Sequence, residues 1–342
     1  MEPLVSVVMT VYNYERYVAE SIESILAQTF RDFEFIIIDD ASSDSTQKVI
    51  SGFIDRRIVF VRNDENLGQT RSLNKALRLA RGTYIARIDG DDVSFPDRLK
   101  RQVDFLERNP RVGVVGTWLQ SVDERNRLIR KSRYPVIPTL GRLLFLNLFN
   151  WPCLTHPTVM VRKGCFETVG PYNEQYRISQ DYDLWLRVAR KFRMRNIPHI
   201  LLNYREHRQS LSHSRKNKTR QEVRQIVVSN VRHFLPGIDS RAQERLVNLL
   251  MFDPQPDSSS AQEVFEVLDK FLASVQAHVG SELAYPGELA YLKKMARVLY
   301  LPRLFGTNPR TALGELLRAT RTGNRWLFSS RFAKAIGHAI LR

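Results

Sequence analysis

Leu4-Val5-Ser6-Val7-Val8-Met9-Thr10-Val11 and Phe33-Glu34-Phe35-Ile36-Ile37-Ile38-Asp39-Asp40 decide the fold. Each is a nearly continuous apolar, β-branched run, the pattern of a strand covered by helices on both faces of a parallel sheet. Between them, Val18, Ile22, Ile25 and Leu26 recur at helical spacing within Glu15 to Ala27, so the segment reads as a βαβ unit. Outward from it the alternation repeats: a helix after Ser43, a strand over Ile58 to Val61, a helix over Ser72 to Ala80 and a strand over Tyr84 to Ile88. This predicts a doubly wound α/β sheet, whose ligands collect beyond the carboxyl ends of the strands. Asp39, Asp40, Asp89 and Asp91 all fall there.

Further along, Pro96 to Asn109 reads as a helix and Val112 to Thr117 as a strand, with Trp118 to Lys131 a further strand or hairpin around Asp-Glu-Arg-Asn. The alternation then weakens. His156 to Val161 suggests a strand, Gln180 to Arg190 a helix, and Ile200 to Tyr204 a short strand leading to Arg205 and His207. From Ser214 the pattern is mainly helical, broken at Pro236-Gly237 and by a linker-like Pro-Gln-Pro-Asp-Ser-Ser-Ser at 254–260.

The 342 residues suit one main domain with appendages, and 43% hydrophobic and 10% aromatic content argue against disorder. The formal charge of +16 implies a polyanionic or phosphate-bearing partner without choosing among nucleic acid, anionic membrane and small substrates. Cys153 and Cys165 give neither a disulfide framework nor a zinc knuckle and read as free thiols. The opening Met1-Glu2-Pro3-Leu4 lacks the basic start and long apolar core of an export signal. Apolar stretches elsewhere are broken before the ~18–20 residues a membrane helix needs. The expected location is cytoplasmic.

Asp89-Gly90-Asp91-Asp92 gathers hard carboxylates at a strand end, where they can hold Mg²⁺ or Mn²⁺ while phosphate oxygens take the remaining positions. A solvated acidic turn is the competing reading. Asp39-Asp40-Ala41-Ser42-Ser43-Asp44 forms a second acidic corner. There Ser43 and Asp44 suit the cap of the next helix, leaving Asp39 and Asp40 for a base or ribose.

Taken in order and spacing, Val-Ser-Val-Val-Met-Thr-Val-Tyr-Asn at 5–13, the 39–44 corner and Ile-Asp-Gly-Asp-Asp at 88–92 resemble family 2 glycosyltransferases. So do Pro-Asp-Arg-Leu at 96–99, Gln-Asp-Tyr-Asp-Leu-Trp-Leu-Arg at 180–187 and Tyr-Arg-Glu-His-Arg-Gln-Ser-Leu-Ser at 204–212. Each motif alone is weak; together, in register, they are specific. The resemblance implies a GT-A fold over residues 1–212, with a nucleotide-sugar-binding half at 1–117 and an acceptor-binding half at 118–212. A mainly helical, basic extension then fills 213–342. It also implies a nucleotide-diphosphate sugar donor, with a UDP-sugar expected, Mg²⁺ or Mn²⁺ as cofactor, and inversion at the anomeric carbon.

Carried over by position, Thr10, Tyr12 and Asn13 would line the nucleotide pocket, Asp40 would meet the base, Asp39 would belong to the nucleotide-sugar site, Arg71 would lie near ribose and phosphate or stand as an exposed helix-start arginine, and Asp91 would be the principal metal ligand. Asp89 would sit beside ribose or metal. Asp181 matches the family's general base, against the competing reading of an acid at a helix N-terminus. Gln180 departs from the Glu many relatives carry. His207 is read either as a metal or diphosphate ligand or as a surface histidine, with Arg205 the alternative diphosphate partner. His156, Gln180 and Trp185 are acceptor-side candidates, Trp185 through packing in the core and acceptor pocket rather than through chemistry. The acceptor would be a carbohydrate or lipid-linked glycan, and a bacterial surface-polysaccharide role follows from resemblance alone.

In residues 301–342, eight Lys and Arg face the single acid Glu315, and Phe328, Phe332, Ile336 and Ile340 recur every four residues. Such a helix could lie on an anionic membrane, placing the protein at the inner face of the cytoplasmic membrane, or pack on its own domain. Among other classes, a nucleic-acid-binding protein fits the charge but lacks a recognised module, and acidic strand ends would repel a phosphate backbone. An oxidoreductase would need a Gly-X-Gly-X-X-Gly after the first strand, and a nucleotidyltransferase a glycine-rich basic loop; neither is present.

Overall fold

A computed structural model describes residues 2–134, 153–207, 216–251 and 261–283. The described residues fall into two compact units, one up to residue 223 and one from residue 224 on. The first is built on a nine-stranded mixed sheet. Its leading half alternates β1 (Val5–Val11), α1 (Val18–Leu26), β2 (Phe33–Asp39), α2 (Thr46–Ser51), β3 (Ile58–Arg62), α3 (Gln69–Leu79) and β4 (Tyr84–Asp89), as the periodicity predicts. There follow β5 (Val93–Ser94), α4 (Arg98–Arg108), β6 (Val112–Val122), β7 (Leu128–Ser132), β8 (Met160–Arg162), α5 (Lys163–Val169), α6 (Gln180–Ala189) and β9 (Arg193–Arg205).

Strand order is β3-β2-β1-β4-β8-β6-β9-β5, with β7 hairpinned onto β6. The first four strands run parallel, whereas β8 is antiparallel to both β4 and β6. Every residue of β1 and β2 is buried, which is why they read as unbroken apolar runs. Val7, Met9, Val11, Phe35, Ile37, Ala86 and Ile88 share one core with Val18, Ile22 and Ile25 of α1.

Three departures from the sequence reading have physical causes. His156–Thr158 is a 3₁₀ turn with Pro157 inside it, and only Met160–Arg162 pairs as a strand. The final strand is much longer than Ile200 to Tyr204: β9 follows β6 through register shifts, one of them at Thr117/Trp118, which its interspersed Arg, Asn and Pro residues conceal. α2 begins at Thr46 with Ser45 at its cap position, although Asp44 still accepts from the Thr46 N–H at 2.9 Å.

α7 (Lys216–Phe234) gives its first residues to the first unit and the rest to the second, which also holds α8 (Ser240–Leu250) and α9 (Ala261–Leu283). Asp239 caps α8 through the Arg241 and Ala242 N–H groups. Val227, Val231, Phe234, Leu246, Leu250, Leu268, Phe271 and Leu272 are buried within it. Cys153 and Cys165 are both buried, and no disulfide joins them. No helix among the described residues is long and apolar enough to cross a membrane. The amphipathic stripe of residues 328–340 lies outside the described residues.

Candidate active site

The chain steps from β1 to β2 to β3 in one direction, then returns to place β4 on the other side of β1. Such a reversal is the switch point at which α/β sheets bind their ligands, beyond the carboxyl ends of β1, β2 and β4. Register puts Val11 beside Asp39 and Thr10 beside Asp89, so both acidic corners flank the end of β1. Because Ala86 and Ile88 enter the core, the alternating Arg87 and Asp89 project from the opposite face.

The two aspartates of the first corner have different work. Asp40 accepts from Asn63 Nδ2 at 2.7 Å, Leu67 N at 2.9 Å, Ser72 Oγ at 2.9 Å and Gly68 N at 2.8 Å. Its carboxylate is thereby filled, and it pins the loop before α3. Asp39 accepts from Ser42 N at 3.0 Å through one oxygen, while Oδ2 keeps only an ion pair to Arg62 at 3.4 Å and no hydrogen bond. Asp39, more than Asp40, retains capacity for a ligand. Asn13, in the left-handed region at φ 59°, accepts from Ser43 N at 2.9 Å and so staples the two loops together. Tyr12 beside it is 46% exposed. Arg71 lies in the first turn of α3 and pairs with Glu174 at 3.4 Å. Thr10 Oγ1 is buried without a hydrogen-bond partner.

At the second corner, one oxygen from each of Asp89, Asp91 and Asp92 lies within 4.8 Å of the others. Gly90 makes the turn possible, since a Cβ there would meet Val11 Cγ1 at 2.5 Å. Burial pushes the Asp91 and Asp92 carboxyls up, and the neighbouring acids push them further. The Tyr14 hydroxyl is raised by the same burial and the same three acids. Asp91 Oδ2 shares a 2.8 Å hydrogen bond with His207 Nε2, whose ring lies against Tyr17. Asp92 Oδ2 is buried with no hydrogen bond. A crowded set of hard oxygen donors with an unfilled buried carboxylate oxygen fits a divalent cation such as Mg²⁺ or Mn²⁺. Arg205 is committed elsewhere: its N–H donates to Asp92 at 3.0 Å, Nε to the Asp91 carbonyl at 2.9 Å and Nη2 to Glu20 at 2.6 Å. It shapes the acidic turn instead of pointing free.

Asp181 stands in the first turn of α6, accepting from the Tyr182 N–H at 2.8 Å. It keeps part of its surface open, yet the protein around it withdraws water and pushes its carboxyl up to about 6, against the lowering effects of that hydrogen bond and of the Arg87 charge. It also feels the Asp89 carboxylate, so the base candidate and the acidic corner belong to one electrostatic neighbourhood. Gln180 Nε2 donates to Gln69 of α3 at 3.0 Å and leaves its own Oε1 buried and unbonded. His156 bonds the Tyr172 hydroxyl at 2.8 Å and stacks edgewise on Trp185 at 6.1 Å; burial holds its pKa well below the usual value, keeping it neutral. Trp185 is buried, with Nε1 unbonded.

Two residues here escaped the sequence reading. Glu222 of α7 accepts from the N–H groups of Arg177, Ile178 and Ser179 at 3.0, 2.9 and 2.8 Å, fixing the entry to α6. Nothing near Asp181 in sequence announces it. Arg87 lies fully buried and ion-paired to Asp89; the signal available was a cation inside an otherwise apolar strand.

The chain is similar to known proteins in sequence and in fold. The sequence model for glycosyl transferase family 2 matches residues 6–170. The UDP-Glc:alpha-D-GlcNAc-diphosphoundecaprenol beta-1,3-glucosyltransferase WfaP of Escherichia coli is 30% identical over 250 residues, covering 73% of this chain and 92% of WfaP. Among solved structures, S. aureus TarS 1-349 in complex with UDP-GlcNAc superposes with a TM-score of 0.58 at 17% identity, over 89% of this chain and 91% of TarS. The mannosyltransferase PcManGT from Pyrobaculum calidifontis, in complex with GDP-Man and Mn2+, gives 0.51 at 17% identity, over 100% and 86%. The fold is GT-A. With acidic corners at the switch point and a relative matched along nearly its whole length, the chain belongs to glycosyl transferase family 2 and is a glycosyltransferase.

Proposed function

We propose that the protein moves a sugar from a nucleoside-diphosphate donor, a UDP-sugar by expectation, to a hydroxyl of a carbohydrate or lipid-linked glycan, with inversion. The carrying observation is Asp181: a carboxylate in the first turn of α6 that burial raises to about 6, within electrostatic reach of Arg87 and Asp89, ionised at neutral pH yet basic enough to accept a proton. In this reading the acceptor oxygen bonds to the anomeric carbon as the bond to the donor phosphate breaks, and the hydroxyl proton passes to Asp181. Thr10, Tyr12 and Asp39 bind the nucleoside, with Arg71 beside the phosphates. A divalent ion held by Asp91, with Asp89, Asp92 and His207 around it, would offset the charge gathering on the departing diphosphate.

Residues 1–212 form the catalytic domain in this account and 213–342 an extension. The lipid-linked acceptor in WfaP's name supports a role in surface-polysaccharide or glycolipid synthesis, carried out in the cytoplasm with the basic C-terminus at the membrane's inner face. Titration calorimetry of a nucleotide-sugar panel with and without Mn²⁺ tests the whole. Asp91→Ala should weaken the metal-dependent part of donor binding, whereas Asp181→Asn should preserve binding and sharply lower transfer. Normal transfer by both variants would end the proposal.

A further inference from the structure

One residue grips the Asp89–Asp92 turn from outside. Arg205, at the carboxyl end of β9 and 2% exposed, gives its main-chain N–H to Asp92 Oδ1 at 3.0 Å and its side-chain Nε to the Asp91 carbonyl at 2.9 Å. Nη1 reaches the Asp123 carbonyl at 3.4 Å and Nη2 the Glu20 carboxylate at 2.6 Å, while the Tyr17 ring lies 5.1 Å from the guanidinium. Every side-chain nitrogen therefore has an acceptor, and these partners lie 82 to 185 residues away along the chain. Glu20, on α1 and 44% exposed at its side chain, also accepts from Asn126 Nδ2 at 2.9 Å. Asn126 sits at the β6–β7 turn in the left-handed region at φ 62°. Two helix and hairpin elements thus meet on the arginine that ends β9.

The choice of partners is what matters. One oxygen from each of Asp89, Asp91 and Asp92 lies within 4.8 Å of the others, and like charges so close push a turn apart unless something holds it. A guanidinium paired directly with those carboxylates would hold them, but it would also fill the oxygens and supply the charge that a cation needs. Arg205 does neither: its side chain holds the turn by the Asp91 main chain and spends its charge on Glu20. Of its contacts, only a neutral backbone N–H reaches a carboxylate of the corner, at Asp92 Oδ1, and Asp92 Oδ2 stays unbonded.

We propose that Arg205 is a positioning residue for the divalent cation: it clamps the Asp91–Asp92 turn by its backbone, and Glu20 cancels its charge so that the clamp does not repel the ion. The inference rests on the metal and nucleotide-sugar readings above and adds two residues that act on the cation through Asp91 and Asp92. Neither Arg205 nor Glu20 touches the ion or the substrate in this account.

Calorimetry of UDP and GDP binding at graded Mn²⁺ concentrations tests it on the full chain, with wild type, Arg205→Met, Arg205→Lys and Glu20→Gln. Two quantities are read: the Mn²⁺ concentration at the midpoint of the gain in nucleotide affinity, and the affinity reached at saturating Mn²⁺. Arg205→Met should raise the midpoint about tenfold, as loss of an outer partner of a metal ligand does, and leave the saturated affinity within about twofold of wild type. The direction separates clamp from charge, because removing a positive charge beside a cation would by itself lower the midpoint. Arg205→Lys keeps the charge but loses the fork that spans Asp91 and Glu20, so the midpoint should rise severalfold; it carries the test if the methionine variant fails to fold. Glu20→Gln leaves the Arg205 charge uncancelled and should raise the midpoint about threefold, less at high salt because Glu20 is half-exposed. An unchanged or lowered midpoint in the Arg205 variants or in Glu20→Gln would overturn the inference. So would a loss of affinity that persists undiminished at saturating Mn²⁺, the mark of a merely structural arginine. Wild-type nucleotide binding indifferent to Mn²⁺ would overturn the metal reading and this inference with it, and absence of binding by both UDP and GDP would overturn the nucleotide-sugar reading as well.

Discussion

Asp39-Asp40 and Asp89–Asp92 look alike in the sequence, each an acidic cluster at the end of a buried strand, but the fold treats them differently. Asp40 is closed by four hydrogen bonds from the protein, two of them from backbone N–H groups. At Asp89–Asp92 the acids face one another, and Asp92 Oδ2 has no donor at all. An acid whose lone pairs are spent on the backbone holds a loop in place; acids left crowded and unfilled keep room for a cation or ligand. Within the first corner Asp39 stands apart, since its second oxygen keeps only the Arg62 ion pair.

The largest effect expected is at Asp181, which draws the second corner into chemistry. Asp181→Asn should lower transfer about a thousandfold, and in the wild type kcat/KM should fall on acidification with a midpoint near 6. Because the folded carboxyl is raised, its burial favours the protonated form; this stabilisation is present at low pH and lost as pH rises through about 6. Thermal melts at pH 8 should therefore find Asp181→Asn more stable by about 1–3 kcal/mol, a gain that vanishes near pH 4. A melting temperature difference independent of pH would contradict the assignment.

Next, Asp91→Ala should weaken Mn²⁺-dependent donor binding about a hundredfold with little change in melting temperature. Asp40→Ala should do the reverse, costing about 3–5 kcal/mol of stability, as loss of a buried, multiply bonded carboxylate does. If Asp40→Ala melts normally and loses only donor affinity, the division between the corners is wrong. Asp39→Asn sharpens it: donor affinity should drop about tenfold, with stability close to wild type. The smallest effect is at Glu222, a positioning residue. Glu222→Gln should reduce kcat severalfold while the donor dissociation constant and the KM for acceptor stay unchanged; parallel losses in all three would mark a merely structural role.

The βαβ alternation was legible because strands buried on both faces cannot hide their apolar runs, as β1 and β2 illustrate. β9 reads short in the sequence because the polar but buried Asn196 breaks its apolar run, the exposed Pro198 and His199 interrupt its buried positions, and its pairing with β6 slips register. The acidic corners were legible as places; their roles were not. Asp39 and Asp40 are the same residue type one position apart, and only their partners, 23 to 32 residues away from Asp40, separate them. Arg205 suggested a diphosphate ligand by its neighbours in sequence but spends its donors on Asp91, Asp92 and Glu20. Glu222 reaches the entry of α6 from 43 to 45 residues further along the chain, beyond any local pattern.

A crystal structure with Mn²⁺ and a bound nucleotide sugar, its metal located by anomalous scattering at the manganese edge, tests the account most directly. An anomalous peak should lie on Asp91, with the sugar's anomeric carbon on the Asp181 side of the metal. Manganese at Asp39–Asp44, or a sugar bound out of reach of Asp181, would contradict it.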